Sequence, residues 1–303
     1  MTQQRWFYRR GELAHGGWES VVDACTPGWK HTGIRIAGLV RTDALALNET
    51  GVERIVVPLA GSFVVAHREG TQSTTTCLNG RASVFAGPTD VLYLSASSTA
   101  VLTGEGRVAI ATSPTDVVKP SRYIAADETP VELRGAGASS RQVHNFGTPQ
   151  ALDAARLIVC EVITPAENWS SYPPHKHDAR VPGHESRLEE IYYFEAAPVA
   201  GAPGPTGGAF GMFSAYSSPA GEIDINGLVR TGDIALVPYG YHGPAVAAPG
   251  YDLYYLNVMA GPDADRQWLI SDDPAHAWVR DTWADQQIDA RLPFTDGKKG
   301  RER

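Results

Sequence analysis

Short apolar or alternating segments recur along the chain, and turn-forming residues separate them. Most are about 4–8 residues long, rich in Val, Ile, Tyr and Phe, and bounded by Gly, Pro, Asn or Asp, a pattern typical of β-strands. Helical periodicity is scarce, and only residues 263–270 and 274–283 suggest short helices. The pattern therefore predicts an all-β fold with few short helices. The predicted strands are residues 34–39, 54–58, 62–66, 91–94 and 108–112, then 157–163, 190–194, 209–213, 234–237 and 253–259.

These predicted strands form two sets, and residues 134–150 separate them. The separating stretch is polar and contains the run Arg-Gly-Ala-Gly-Ala-Ser-Ser-Arg, so we interpret it as a connection between two units. The two halves share a strand–turn rhythm without an evident sequence repeat. The pattern thus favours two consecutive β-barrel or sandwich units of similar size.

Composition and charge exclude several classes of protein. The 303 residues include 31 Gly and 21 Pro, spread along the chain rather than gathered in one tract, which fits many short strands. With 26 Lys+Arg against 34 Asp+Glu the net charge is −8, which disfavours a nucleic-acid-binding surface. No apolar stretch approaches the roughly 20 residues that span a bilayer, the N-terminus lacks the apolar core of a secretory signal, and the cysteines form no CxxC pair. We therefore expect a cytoplasmic protein without nucleic-acid or membrane partners.

Candidate chemistry begins in the segment Ser-Ser-Tyr-Pro-Pro-His-Lys-His-Asp at residues 170–178. His175 and His177 are two positions apart, so on a strand both imidazoles project from the same face. Two imidazoles on one face can begin a divalent metal site. A chance His-x-His on the surface explains this segment equally well when it is taken alone.

Two further segments strengthen the metal interpretation. Glu190 opens the apolar run Ile-Tyr-Tyr-Phe, and a carboxylate at the start of a buried strand needs a partner, whereas its neighbour Glu189 points to the opposite face. His242 follows a strand and a Pro-x-Gly turn, where a histidine on its own fits a core or surface role. Together, His175, His177, Glu190 and His242 predict a metal site with open coordination positions, which is the catalytic rather than the structural arrangement. This ligand set suits one divalent metal, Zn or Mn first, with Fe, Co or Ni also compatible.

A sequence resemblance sharpens this interpretation. His-x-His, a later Glu and Gly-x5-Pro-x-Gly-x-His are similar to the metal motifs of the cupin superfamily, although twelve residues separate His177 from Glu190 where cupins usually have three or four. More specifically, the chain closely resembles the 5-deoxy-glucuronate isomerase family of inositol catabolism. It departs from that family at Gly243, which separates His242 from Pro244 where the family usually reads Gly-Tyr-His-Pro. The matching segments are residues 168–178, 188–194, 240–242, 248–262 and 273–276, with 81–88 and 90–94 in the first half.

The resemblance implies a bicupin with two β-barrel (jelly-roll) domains in tandem. Residues 1–140 would form a degenerate N-terminal cupin barrel, and residues 141–303 the C-terminal barrel that binds the metal. The first half agrees, since His67 is a lone histidine among its predicted strands. A structural role is the simplest for the first barrel, and a second binding pocket there is the alternative. Exposed barrel edges often pair between subunits, so we also expect a homo-oligomer.

The family reaction implied for this chain converts 5-deoxy-glucuronate, an aldehyde sugar acid, into the ketone 5-dehydro-2-deoxy-gluconate. An open metal site suits this aldose–ketose isomerisation because the metal polarises the carbonyl as a Lewis acid. The C2 hydrogen then moves to C1, either as a proton carried by a base through an enediol or as a hydride, and the sequence does not separate these routes.

The sequence offers several candidates for the base and for the cation that a sugar acid needs. The candidates for the base are Glu189, Lys176, Asp178 and Tyr241, each of which also fits a structural role. Asp178 in particular suits a hydrogen-bond acceptor for a metal-bound histidine. For the substrate carboxylate, Lys176 and Arg180 lie near the predicted ligands in sequence, with a solvated surface role as the alternative for both.

Two other functions are compatible with the same metal site. A cupin non-haem Fe dioxygenase would consume oxygen in an Fe(II)-dependent reaction, and the specific family motifs weigh against it. A non-enzymatic sugar-acid binding protein would bind its ligand without turnover, and a metal with no open coordination position would favour it.

Overall fold

β-Strands dominate the computed structural model of the chain, which describes residues 5–203 and 206–295. Strands β1–β11 are Phe7–Tyr8, Ser20–Val22, Gly33–Leu39, Ala44–Leu47, Val52–Glu69, Gln72–Arg81, Val91–Leu94, Thr99–Pro114, Arg122–Ile124, Val131–Arg134 and Arg141–Gly147. Strands β12–β23 are Ile158–Thr164, Trp169–Ser170, His175–Lys176, Asp178–Val181, Glu185–Arg187, Glu189–Pro198, Gly211–Ser218, Gly221–Val229, Ile234–Val237, Tyr241–Ala247, Tyr251–Ala260 and Ser271–Asp272. The helical segments of the described residues are short 3₁₀ helices at Val84–Ala86, Ala126–Glu128, Gly137–Ser139, Thr206–Gly208 and Ala277–Asp285.

The first half of the chain builds one sheet around two long strands. Its strands follow the order β2-β3-β8-β5-β7-β9, with β4 paired to β8 and β6 paired to β5. β5 and β8 pair along most of their length, with a register shift between Pro58 and Ala60 that bends the pair. Just beyond it, Gly61 has a φ of +92°, and a Cβ there would lie 1.9 Å from the Glu105 carbonyl oxygen, so this close approach requires glycine. The predicted strands 54–58 and 62–66 are therefore parts of a single bent strand.

Two facing sheets in the second half enclose the candidate site. A seven-stranded sheet has the order β1-β20-β17-β22-β12-β11-β10, and a six-stranded sheet has the order β19-β18-β21-β14-β23. Their inner faces meet through aromatic rings, since the ring centroid of Phe213 lies 4.7 Å from that of Tyr192 and 5.4 Å from that of Phe194. One continuous buried core joins these faces to residues of the first-half sheet such as Val57 and Tyr93.

The all-β prediction is confirmed, and every predicted strand overlaps an observed one. Ala277–Asp285 is a 3₁₀ helix near the predicted helix at 274–283, whereas the helix predicted at 263–270 is wrong because that segment is irregular. The interpretation of residues 134–150 as a connection is also wrong, because β11 lies there and pairs with both β10 and β12.

The domain boundary at residue 140 stays a prediction. Strands β1 and β10 both precede it in sequence, yet both pair within the seven-stranded sheet of the second half. Residues 1–4, 204–205 and 296–303 of the predicted domains lie outside the described residues. Among the residues that are described, no helix has the length and apolar character needed to cross a membrane.

Candidate active site

The predicted metal ligands meet between the two second-half sheets. His175 and His242 are paired residues of β14 and β21, His177 directly follows β14, and Glu190 lies on β17 of the facing sheet. The ligand atoms of His177, Glu190 and His242 lie within 4.8 Å of one another, and all three residues are buried. The ring of His175 lies beside them, with its centroid 4.5 Å from that of His242. Within residues 5–203 and 206–295, His177, Glu190 and His242 form the one group of His, Cys, Asp and Glu side chains close enough to share a metal ion.

Main-chain carbonyls orient all three imidazoles. A carbonyl oxygen only accepts hydrogen bonds, so each Nδ1 that faces one carries the ring proton, and each Nε2 presents a lone pair. This is the arrangement by which proteins orient metal-binding histidines. The Nδ1 atoms of His175, His177 and His242 lie 3.3, 3.0 and 3.2 Å from the carbonyl oxygens of Pro173, Leu188 and Gly240, respectively.

The ligand atoms of the cluster need a cation between them. His177 Nε2 lies 2.9 Å and His242 Nε2 lies 3.1 Å from the same oxygen, Oε2 of Glu190. With Nδ1 protonated, all three atoms are acceptors, and the buried His242 Nε2 has no hydrogen-bond partner among the described residues. A divalent metal bound by imidazole nitrogens and a carboxylate oxygen satisfies all of them, so the residues present fit such an ion.

Burial and mutual contacts shift pKa values in this cluster. Burial, together with the neighbouring imidazoles of His242 and His177, holds the pKa of His175 well below its usual value. When the Nε2 atoms of His177 and His242 carry a proton instead of a metal, their hydrogen bonds to Glu190 bring the pKa of that carboxyl down to about 2, although burial on its own would raise it. His175 is thus held as a neutral imidazole and Glu190 as a carboxylate, which are the forms that bind metals.

Glu189 points away from the cluster, as the alternation along β17 predicts. Its Oε1 atom accepts hydrogen bonds from the backbone N–H groups of His31 and Thr32 at 2.6 and 2.7 Å and from Thr32 Oγ1 at 3.0 Å. Burial raises the pKa of Glu189 although these hydrogen bonds act to lower it. Glu189 therefore ties the loop before β3 to β17.

Lys176 and Asp178 lie in a half-buried network beside the ligands. Lys176 Nζ donates to Asp178 Oδ1 at 2.8 Å and to the two carboxylate oxygens of Glu185 at 2.7 and 2.9 Å. Asp178 Oδ2 accepts the backbone N–H of Gly240 at 2.9 Å. Because Gly240 supplies the carbonyl that orients His242, Asp178 positions that ligand through the main chain.

The other two predicted site residues have partners of their own. Tyr241, predicted as a base, stacks on Tyr216 with the ring centroids 5.5 Å apart. Arg180, predicted for the substrate carboxylate, is 55% exposed and pairs with Asp263 at 3.4 Å and Asp265 at 2.9 Å. Tyr241 precedes His242 on β21 and so points to the opposite face, and Arg180 makes its contacts at the surface.

A cavity of about 410 Å³ opens onto the cluster, a size that suits a small-molecule ligand. Its wall comes from the inner face of the seven-stranded sheet and from the chain around β23. Neither the four predicted base candidates nor Arg180 line it. The residues that do are Arg134, Arg141, Val143, Val162, Ser171, His175, Glu190, Tyr192, Tyr255, Asn257, Trp268, Ile270, Asp272 and Arg280.

Sequence reasoning missed most of the polar residues of this wall. Arg134 and Arg141 fall in the stretch taken for a connection, and they are paired residues of β10 and β11. Asp272 lies in β23, where it pairs with His175, and no motif marked it. One signal was available: Tyr255 and Asn257 alternate along β22, so both belong on one face, which the structure turns toward the cavity.

Several known sequences are similar to this chain over most of its length. A sequence model of the KduI/IolB family matches residues 6–279. A 5-deoxy-glucuronate isomerase of Geobacillus thermodenitrificans (strain NG80-2) is 36% identical over 273 residues, which cover 87% of this chain and 93% of that protein. A protein of the same name from Bacillus subtilis (strain 168) is 38% identical over 230 residues, covering 75% of this chain and 79% of that protein.

Solved structures agree with the sequence relatives. An IolB-like protein from Salmonella typhimurium LT2 matches with a TM-score of 0.80 and 31% identity, covering 91% of this chain and 99% of the other. An oxalate decarboxylase of Lactobacillus farciminis matches with a TM-score of 0.62 and 9% identity over 90% of this chain and 89% of the other, which shows a shared fold alone. The predicted cupin-type fold is confirmed by these neighbours. With the family match spanning residues 6–279, the chain belongs to the KduI/IolB family.

Proposed function

We propose that this chain is a metal-dependent isomerase that converts 5-deoxy-glucuronate into 5-dehydro-2-deoxy-gluconate in myo-inositol degradation. The observation that carries the proposal is the buried cluster of imidazoles and one carboxylate on the wall of a cavity of about 410 Å³. Relatives that are 36% and 38% identical over most of the chain bear the name of this isomerase, which supports the choice of substrate.

In this proposal His175, His177, Glu190 and His242 hold one divalent metal, with Zn or Mn first and Fe, Co or Ni also compatible. The bound ion supplies Lewis-acid polarisation of the substrate carbonyl. The chain itself contributes the orientation of the ligands. Three backbone carbonyls fix the imidazole tautomers, and burial keeps His175 neutral.

The proposed reaction moves hydrogen within one molecule and needs no redox partner. C2 loses its hydrogen and C1 gains one, while the proton of the C2 hydroxyl passes to the C1 oxygen. A residue that carries a proton between these positions must reach the cavity. The predicted candidates for this role are Glu189, Lys176, Asp178 and Tyr241, and their observed contacts support positioning roles. Asp272 is, with Glu190, one of the two carboxylates that line the described cavity wall, and we add it as a candidate.

The direct test is to load the purified protein with metal, add 5-deoxy-glucuronate and follow formation of the ketone. We expect turnover with at least one of Zn, Mn, Fe and Co, and its loss after chelation. Absence of turnover with all four metals would contradict the proposal. Binding without turnover would instead support a sugar-acid binding protein, and oxygen consumption that requires Fe(II) would support a dioxygenase.

The same assay in D₂O separates the two hydrogen-transfer routes. A base that exchanges with solvent introduces deuterium at C1 of the product, whereas a hydride shift carries the original C2 hydrogen to C1. The outcome decides whether a residue such as Asp272 acts as a proton carrier.

We also infer that the protein acts in the cytoplasm as a homo-oligomer. Met212 and Leu228 are paired across β18 and β19 and are 50% and 37% exposed, which leaves an apolar patch on the outer face of the six-stranded sheet. Light scattering coupled to size-exclusion chromatography tests this inference, and a monomeric mass contradicts it.

A further inference from the structure

Three arginines line the cavity wall, and among the described residues carboxylates neutralise two of them, Arg134 and Arg280. Arg134 is bound through two hydrogen bonds by Glu132, at 2.9 and 2.7 Å. Arg280 is bound in the same way by Asp272, with one of its hydrogen bonds at 2.7 Å. No carboxylate of the described residues lies within 4.0 Å of the Arg141 guanidinium. Arg141 is therefore the uncompensated cation of the cavity.

The charge of Arg141 is energetically unfavourable because the guanidinium is buried and lies near other cations. The residue is 5% exposed, and its guanidinium donates to the carbonyl oxygens of Ser139 at 2.9 Å and Tyr172 at 3.4 Å. Burial, together with the nearby cations Arg134 and Arg280, lowers the pKa of Arg141 to about 10, so the group is still charged at neutral pH. A buried charge without an opposite charge is unfavourable unless a ligand supplies one.

The register of the sheet directs Arg141 into the cavity. Arg141 and Val143 alternate along β11, and both line the cavity wall, whereas His144 turns to the opposite face and contacts Glu161. Arg134 lies directly opposite Arg141 on β10, so two like charges face each other across paired strands. Glu132 balances the charge of Arg134, so the charge of Arg141 is the one that an anion in the cavity would balance.

We propose that Arg141 binds the carboxylate of the substrate and thereby sets the direction in which the sugar acid enters the cavity. This inference rests on the proposed function. An aldose acid carries its carbonyl at one end and its carboxylate at the other, and the cavity likewise has the His/Glu cluster and Arg141 on its wall. The planar guanidinium has five N–H donors and matches a carboxylate through two parallel hydrogen bonds. Arg134 and Arg280, each already bound by a carboxylate, are left to support this cationic region.

The test compares an acid with a neutral ligand in two variants. Calorimetry measures binding of 5-deoxy-glucuronate and of 5-deoxy-glucose, whose C6 is a primary alcohol, to the metal-loaded wild type, Arg141→Met and Arg141→Lys. We expect Arg141→Met to weaken binding of the acid about 30- to 100-fold, Arg141→Lys about tenfold, and both to change binding of the neutral sugar less than threefold. The exposed Arg180→Gln is the matched control and should leave both affinities unchanged.

Several outcomes would overturn the inference. Equal loss of affinity for both sugars, or no loss for either, removes Arg141 from carboxylate recognition. Tighter binding of inorganic phosphate than of the acid to the wild type would assign the site to a different anion. If Arg141→Met does not fold, as judged by its thermal unfolding, the Arg141→Lys variant decides the question by the same acid-to-neutral ratio.

Because these are binding measurements, they separate this inference from the proposed function. A wild type that prefers the acid through Arg141 but does not isomerise it supports the inference and contradicts the function. The opposite result is a wild type that isomerises the acid while Arg141→Lys and Arg141→Met keep full affinity for it. That result supports the function and contradicts the inference.

Discussion

Each imidazole of the candidate metal centre is oriented by a carbonyl of the backbone rather than by a neighbouring side chain. His177, for example, is fixed by the Leu188 carbonyl, and His242 by that of Gly240, two residues before it. The orientation of one ligand therefore does not depend on the side chain of another. Removing one imidazole should delete one ligand and leave the remaining ones in place, which makes single substitutions informative.

Metal retention should depend on each imidazole of the cluster. His175→Ala and His242→Ala are each expected to abolish it, because an imidazole nitrogen is lost from a site with few ligands. Metal analysis after dialysis measures the effect. His67→Ala is the control, since His67 lies in the first-half sheet with its Nε2 3.2 Å from Thr76 Oγ1 and should leave metal content unchanged. Full metal occupancy in both ligand variants would contradict the assignment.

Asp178 has two candidate roles, positioning His242 or acting as the base, and a substitution distinguishes them. The Asp178 carboxylate accepts the N–H of Gly240 at 2.9 Å and bonds Ser218 and Lys176, so it braces the turn before His242. If it positions this ligand, Asp178→Asn lowers metal affinity about 10- to 100-fold. A competition titration with a chelating dye measures this affinity. Unchanged affinity with loss of kcat would instead identify Asp178 as the base.

At the scale of elements, the sequence predicts strands well and their connections poorly. Every run rich in β-branched and aromatic residues falls on an observed strand because burial of both faces demands such residues, whereas strands without such a run, such as β11 and β14, were not predicted. The bend that makes one strand of residues 54–58 and 62–66 depends on Gly61 meeting Glu105, a long-range contact that no local pattern reveals. β11 was missed because its preceding segment is polar and rich in glycine, and Arg141 was missed with it.

In the candidate site, too, some residues could be predicted from the sequence and others could not. The candidate ligands were predictable because alternation places His175 and His177 on one face and separates Glu190 from Glu189. The proposed cation for the substrate, Arg141, was not predictable, because a sequence does not show which arginines already have carboxylate partners. Arg180 is close to the ligands in sequence but pairs with Asp263 and Asp265 at the surface.

Gly243 lies where a larger residue would collide with a neighbouring segment of the chain. This residue of β21 has a φ of +98°, and a Cβ there would lie 1.8 Å from the carbonyl oxygen of Ser171, a residue of the cavity wall. Gly243→Ala should therefore lower the free energy of unfolding by about 2–4 kcal/mol, from backbone strain and a forced shift of the Ser171 segment. Urea denaturation measures it.

The control for this variant is another strand glycine with free space around it. Gly227 lies in β19, and a Cβ there meets no atom of the described residues within 4 Å, so Gly227→Ala should change stability by less than about 0.5 kcal/mol. Equal stability of the two variants would refute the packing argument. The departure of this chain from the Gly-Tyr-His-Pro pattern is thus a position where a side chain has no room.

At the scale of the whole molecule, one buried ion pair joins the two halves. Arg81, at the end of β6, donates to both carboxylate oxygens of Glu161 on β12 at 2.7 Å, and neither side chain is exposed. His144 and Tyr254 also contact the Glu161 carboxylate, at 2.6 and 2.7 Å. This network lies on the face of the seven-stranded sheet opposite the cavity, so it connects the first-half sheet to the sheet that carries Glu190.

This pair makes stability depend on pH in a defined direction. Burial would raise the pKa of Glu161, but Arg81 and His144 bring it down to about 2 in the folded chain, below its usual value of 4.5. A carboxylate with a lowered folded pKa stabilises the protein fully above its unfolded pKa, and this stabilisation is lost as the pH falls from about 4.5 toward 2. The wild type should therefore lose stability steeply across that range.

Glu161→Gln tests the role of this pair. The substitution leaves Arg81 buried without an opposite charge, so the free energy of unfolding at neutral pH should fall by about 3–5 kcal/mol. The variant should also lose less stability than the wild type between about pH 4.5 and pH 2, because it has no carboxylate to protonate at this position. Urea denaturation at several pH values measures both effects. Glu105→Gln, which breaks the exposed pair with Arg41, is the control and should leave stability nearly unchanged. Parallel pH profiles for the wild type and Glu161→Gln would show that the junction between the halves is held by apolar packing instead.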